Sequence, residues 1–199
     1  MEEQKLWLRK SISFLQEALA VYSEAGMLEE QALAMHNLSN QRAVLSGLVD
    51  TEEAEELLGL AERGFALISD IFAEMRHPMH LVRAFLSHAE VFARVGLLRG
   101  GGEGAQFLEA ALTLARKAED VITPGSQPVM WAMMYRDRGR WQEALAGLDA
   151  NNAAAHLTEA AKAYRVARNI YEPEHASDLY GSYEAMARAA ETRRDDLTT

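Results

Sequence analysis

Apolar residues recur at helical spacing along almost the whole chain, as in Leu6, Leu8, Ile12, Leu15, Leu19 and Tyr22. Intervals of three and four place such side chains on one face of a helix. No stretch alternates with period two or is rich in Val, Ile and Thr, so strands are not expected. The breaks fall at residues with known helix-ending or helix-starting chemistry. Gly26 closes a first helix, Asp50 with Glu53 three positions on caps the helix that follows, and Pro78 opens another. Further stops are expected across Gly96 to Gly104, at Pro124-Gly125, at Gly139, at Asn151-Asn152 and at Pro173. The segments between them predict an all-α chain of about eight or nine helices, arranged as stacked hairpins.

Sliding the sequence along itself gives a match at an offset of 48. Residues 18–39 align without a gap on residues 66–87, with identities that include Ala18/Ala66, Leu19/Leu67, Met27/Met75, Leu33/Leu81 and Ser39/Ser87. Self-similarity at such a period is the mark of a repeat array. A second pattern runs from Trp131 through Ala132, Tyr135 and Gly139 to Trp141-Gln142-Glu143-Ala144-Leu145. Physically, Ala132 admits a neighbouring helix, Tyr135 fills the space between paired helices, Gly139 allows a tight turn, and Ala144 marks a close crossing on a second helix.

This segment resembles the tetratricopeptide repeat. Asn37-Leu38-Ser39-Asn40 is similar to the Asn-Leu-Gly-Asn run on first helices of that family, and Ala18, Tyr22 and Ala25 to the small, aromatic, small positions of its second helices. Ala163, Ala167 and Tyr171 before Glu172-Pro173-Glu174-His175, with Tyr180, Tyr183 and Ala187 after it, resemble a last, degenerate unit. The resemblance implies a right-handed superhelical stack of antiparallel helix pairs. It also implies one domain over residues 1–199, with a flexible connection at 96–104 and a charged C-terminal end at 188–199.

A function follows from the same resemblance: a non-catalytic scaffold that binds a protein or peptide in a concave groove lined by first helices, of the kind found beside bacterial signalling and effector domains. In that register the groove residues are His36, Asn37, Asn40, Gln41, Arg83, His88, Met133 and Arg136. One mode of the family grips the carboxylate terminus of a chaperone peptide with Lys, Asn and Arg. This chain offers Asn37 and Asn40, but carries Ala84, Phe85 and His88, then Val129, Met130 and Met133, at the later places. That clamp is therefore not expected.

Composition narrows the partners. The 30 acidic against 20 basic residues, a net charge of −10 over 199 residues, repel a phosphate backbone and favour a basic protein over nucleic acid. The absence of Cys removes disulfides, thiolate metal sites and cysteine nucleophiles. Met1 to Lys5 lack the basic start of a secretion signal, and no apolar run approaches the ~20 residues that span a bilayer. The expectation is a cytoplasmic protein with no membrane partner.

Candidate chemistry is sparse. His77 and His80 lie three apart with His88 beyond them, but His-Glu-x-x-His is absent and Pro78 puts the first two at a turn. No metal is expected there. A pocket around these histidines would instead suit the alternative function, a helical small-molecule sensor or enzyme. Gly100 to Gly104 lack the Gly-Lys-Ser/Thr of a phosphate loop, and Glu103 would repel the anion. Paired carboxylates such as Glu52-Glu53 and Glu55-Glu56 sit at a helix start, where negative charge suits the dipole. No catalytic residue and no cofactor are expected. The first helix has no preceding repeat to cover it, so Leu6, Trp7, Leu8 and Ile12 are the expected surface for a homodimer. The mixed charges after Ala187 are expected to close the other end.

Overall fold

A computed structural model describes residues 2–172 and 176–197. Among these residues there are eight helices and no strand: α1 (Glu2–Glu24), α2 (Leu28–Ser46), α3 (Thr51–Glu74), α4 (Pro78–Arg99), α5 (Gly101–Glu119), α6 (Pro128–Leu148), α7 (Ala153–Arg168) and α8 (Ser177–Asp196). Helices adjacent in sequence pack on one another, α1 with α2, α2 with α3, α5 with α6, α6 with α7 and α7 with α8. The chain divides into two compact units, Met1–Val95 and Gly96–Thr199. No described helix is long and apolar enough to cross a membrane.

Local chemistry sets the helix ends. Gly26, at φ 68°, closes α1 while the Met27 N–H reaches back to the Tyr22 carbonyl at 2.9 Å. The same closure recurs fifty positions later, where the His77 N–H reaches the Phe72 carbonyl at 3.1 Å and Arg76 takes the left-handed turn at φ 55°. That conformation is ordinary for glycine and costs another residue roughly 1 kcal/mol. Asp50 caps α3 as its sequence predicts, its Oδ1 accepting from the Glu53 N–H at 3.0 Å. Pro78 is the first residue of α4. The expected stop at Pro173 lies outside the described residues.

One expected break is absent, and another is a single residue long. Gly139 lies inside α6, buried, where an added Cβ would run into the Tyr164 ring of α7. The glycine serves a close helix approach and not a turn, so the motif from Trp131 to Leu145 occupies one helix instead of two. Residues 96–104, expected to connect helices loosely, are helical on both sides of Gly100. Gly96 and Gly104 press backbone to backbone, and a Cβ on Gly96 would come 2.7 Å from the Gly104 carbonyl oxygen. These glycines make a one-residue corner.

The repeat is real in burial but its register differs from the matched identities. Ala32, Val82 and Ala132 are buried, as are Ala34, Ala84 and Met134, and Ser39, Ala89 and Gly139. Each set steps by fifty positions, so Ser39 corresponds to Ala89 and not to Ser87. Burial thus follows the helix ends at Glu24 and Glu74 and not the identities at an offset of 48.

Each unit forms its core around a central helix. In the first, Phe65, Ile68 and Phe72 of α3 meet Ala32 of α2 with Ala84 and Val91 of α4. In the second, Leu157, Ala160 and Tyr164 of α7 meet Ala146 of α6 with Ala187 and Ala190 of α8. The C-terminal charges are more than a solvated end, since Arg193 Nη1 donates to Glu143 Oε1 at 3.2 Å and Arg165 pairs with Glu191 at 2.7 Å.

Candidate functional site

Most of the expected groove residues fall in the first unit, on α2 and α4. Two contacts fix how these helices lie: Ser87 Oγ is 3.5 Å from His36 Nε2, and Arg94 Nη1 donates to the Ala43 carbonyl at 2.8 Å. Both join residues 51 apart, so the two helices run parallel and side by side. A ridge of polar residues follows this seam. Asn37 and Arg83 are exposed, and His36, Asn40 and Ser87 are half-buried.

His36 organises the seam. The Asn40 amide lies 3.2 Å from Nδ1, and the Phe65 ring stands edge-on at 5.6 Å. With the amide donating to Nδ1, the imidazole proton sits on Nε2 and points at Ser87. Burial lowers the His36 pKa, outweighing the Asn37 side chain and the Arg83 backbone carbonyl, which favour the charged form. The ring is therefore neutral near pH 7. Nearby Arg42 is lowered as well, by burial first and then by the Arg63 guanidinium.

His88 does not join this surface. It is 7% exposed, stacked 6.2 Å from Phe65 and 4.5 Å from Phe92, with Glu62 Oε1 at 3.9 Å from Nε2. The aromatic residues around it draw it inward. His80 stacks on Phe72 at 5.1 Å and meets His77 edge-on at 5.8 Å. Among the described residues no cluster of three His, Asp or Glu side chains is placed to hold a metal ion.

Comparison with protein-family models, curated proteins and solved structures returned no match.

The remaining groove residues belong to the second unit. Met133 is exposed on α6, and Arg136 is half-buried and bidentate to Asp137 at 2.9 and 3.0 Å. Close by, the Tyr135 hydroxyl donates to Glu119, which also accepts from Arg138. A hollow of about 340 Å³ in this unit is lined by Thr113, Arg116, Arg138, Gln142 and His156 among others. In the first unit an open hollow of about 580 Å³ is lined by Glu3, Gln4, Trp7, Leu8, Ser11 and Gln41. It places Gln41 beside the N-terminal helix, away from the expected groove neighbours.

The expected dimer surface splits into two faces. Leu6 and Trp7 are exposed, while Leu8 and Ile12 are half-buried. Ser87, which joins α4 to His36, escaped the sequence reading as a site residue. The offset of 48 made it the counterpart of Ser39, whereas the contact to His36 depends on how α2 lies against α4.

Proposed function

We propose that the chain is a non-catalytic scaffold that holds an extended segment of another protein along the ridge of α2 and α4. The observation that supports this reading is the parallel, side-by-side placement of two first helices, with Asn37, Asn40 and Arg83 offered on their open side. Stacking of successive hairpins in a superhelix, as in tetratricopeptide repeats, produces this neighbour relation and aligns first-helix side chains into one surface. Amides and a guanidinium bind backbone carbonyls and carboxylates of a peptide without any reaction. His36 acts from beneath: neutral and wedged against Phe65, it holds Asn40 in place. The ridge offers Arg83 beside amides, so its recognition rests on hydrogen bonding more than on the net charge of −10.

The test is selection of a peptide from a random displayed library on the full chain, followed by fluorescence anisotropy with the selected peptide. The Asn37→Ala, Asn40→Ala, Arg83→Ala triple variant, shown folded by circular dichroism, is expected to bind at least about tenfold more weakly. Failure to select any peptide, or equal affinity in the variant, removes the ridge as the binding surface.

A further inference from the structure

Helix α1 has no fully buried residue, and its two faces differ. Leu8, Ile12, Leu15, Leu19 and Tyr22 are half-buried, on the side that packs on α2. One flank away from that side carries Trp7, Phe14 and Val21, which are 61%, 67% and 61% exposed, and Leu6, at 53%, stands on the other flank in line with Ser13 and Ala20. Seven-residue spacing keeps Trp7, Phe14 and Val21 in line on one flank of the helix. Together the four open on the order of 500 Å² of apolar surface per copy, near the upper end for a monomer. Exposed Lys10 and Glu17 run along the middle of this face, and exposed Ser13 and Ala20 form its other flank.

We propose that this face is a two-fold interface with a second copy of the chain, in which two α1 helices pair antiparallel with Phe14 opposite Phe14. The pattern is self-complementary about that residue. Trp7 and Val21 are each seven positions from Phe14, so each falls opposite the other across the axis. Lys10 lies four positions to one side and Glu17 three to the other, which brings Lys10 of each copy within one residue rise, ~1.5 Å, of register with Glu17 of the other. Two ion pairs form. Glu3 falls opposite Ala25 and Glu24 opposite Gln4, which leaves exposed Glu3 of each copy one residue rise from Glu24 of the other. This like-charge approach at each end is screened by salt and offsets part of the gain from the two central pairs.

A two-fold axis across antiparallel helices brings the same flank of both together. The aromatic flank therefore meets its own copy, and on the other flank the small Ser13 and Ala20 let the backbones approach, with Leu6 at the end of their line. A parallel pair would set Lys10 on Lys10 and Glu17 on Glu17, which is repulsive. The side chains are already poised: Lys10 Nζ lies 4.9 Å over the Trp7 ring, and Arg9, which could compete for Glu17, is held away by Glu53 at 2.7 Å. Counting both copies and the stems of Lys10 and Glu17, the pair covers roughly 1,000–1,200 Å², at the lower limit of specific interfaces. A micromolar dimer is the corresponding expectation.

Sedimentation equilibrium of the full chain from about 1 to 200 μM tests this, with mass rising from 22.1 kDa towards twice that value. Phe14→Glu places two like charges on the axis and is expected to raise the dissociation constant at least about 100-fold. Circular dichroism should stay unchanged, because Phe14 is exposed. Lys10→Glu should weaken the pair about tenfold, and adding Glu17→Lys in the same chain should restore it to within about threefold. Since the chain has no Cys, Phe14→Cys supplies a single thiol on the axis. Mild oxidation should then give a covalent dimer, and Gly147→Cys on α6 should not. A wild type that stays monomeric at 200 μM overturns the proposal. A Phe14→Glu chain that still dimerises, or a Lys10→Glu, Glu17→Lys chain no tighter than Lys10→Glu alone, does so as well.

Discussion

The α2/α3 pair of the first unit and the α6/α7 pair of the second solve one packing problem in opposite ways. At corresponding places a hundred positions apart, the first sets Ser39 against Gly64 and the second sets Gly139 against Tyr164. In the first pair both residues are small, and the space is closed by Met35 and the flanking Phe65. In the second, one helix gives up its side chain so that the ring of the other can lie on its backbone. The Tyr164 hydroxyl then reaches Glu143 at 2.6 Å, and Glu143 in turn accepts from Arg193 of α8. Burial and the carboxylate of Glu143 together hold the Tyr164 phenol protonated, far above its ordinary pKa. One close approach can thus be built from two small side chains or from a glycine and a ring. The second solution also carries a polar anchor to a third helix.

The strongest way to break this contrast is to remove the ring. Tyr164→Ala should cost about 3–5 kcal/mol in urea unfolding, because it leaves a cavity on Gly139 and takes from Glu143 one of its two donors. Hydrogen exchange should rise in α7 and not in α3; a loss under about 1 kcal/mol would show that the ring is not central to the second unit. Next in size is Gly139→Ala. Inside a helix this change normally gains about 1 kcal/mol, but here the methyl meets the ring and a net loss of about 1–3 kcal/mol is expected. Gly147→Ala on the same helix has nothing within 4 Å of the added Cβ and should be neutral or stabilising by about 0.5 kcal/mol. If both alanines behaved alike, the close approach would not be the reason for Gly139.

A smaller effect is expected in the first unit. Gly64→Ala should cost about 1–2 kcal/mol, since the methyl meets the Ser39 hydroxyl. The Ser39 Oγ is buried with no hydrogen-bond partner among the described residues. Ser39→Ala alone should therefore be neutral or slightly stabilising, and combined with Gly64→Ala it should recover most of the loss, leaving methyl groups about 3.4 Å apart. A double-mutant cycle with no coupling would contradict the contact.

The smallest effect is that of pH on the seam of the first unit. Because burial lowers the His36 pKa below 6.5, the unfolded chain takes up the proton first. The stability contributed by the neutral ring is complete above that value and declines as pH falls through it. Urea midpoints at pH 7.5 and 5.5 should differ more for wild type than for His36→Gln. Equal differences would take His36 out of the account.

Much of the fold was legible locally. The apolar periodicity of α1, the Asp50 cap, the Gly26 closure and the Pro78 start each depend on a few neighbouring residues, and each appears where its chemistry demands. Gly139, Gly96 and Gly104 were legible as special but not for their purpose, since a glycine that breaks a helix, as Gly100 does, and one that admits a neighbour look alike in sequence. The candidate site was legible in part. Asn37, Asn40 and Arg83 lie on the seam of α2 and α4, whereas His88 looked equivalent to them by register and is enclosed by Phe65 and Phe92.

The sequence by itself determined the helical class and the sites of most helix ends, because these follow from side-chain spacing and from backbone geometry within a turn; which apolar side chains of α1 are covered was decided by its packing on α2. Tertiary structure decided the register of the repeat, the role of Gly139 and which histidine is covered. Those depend on the side chain that arrives from another helix, and no local pattern specifies the distance at which it stops.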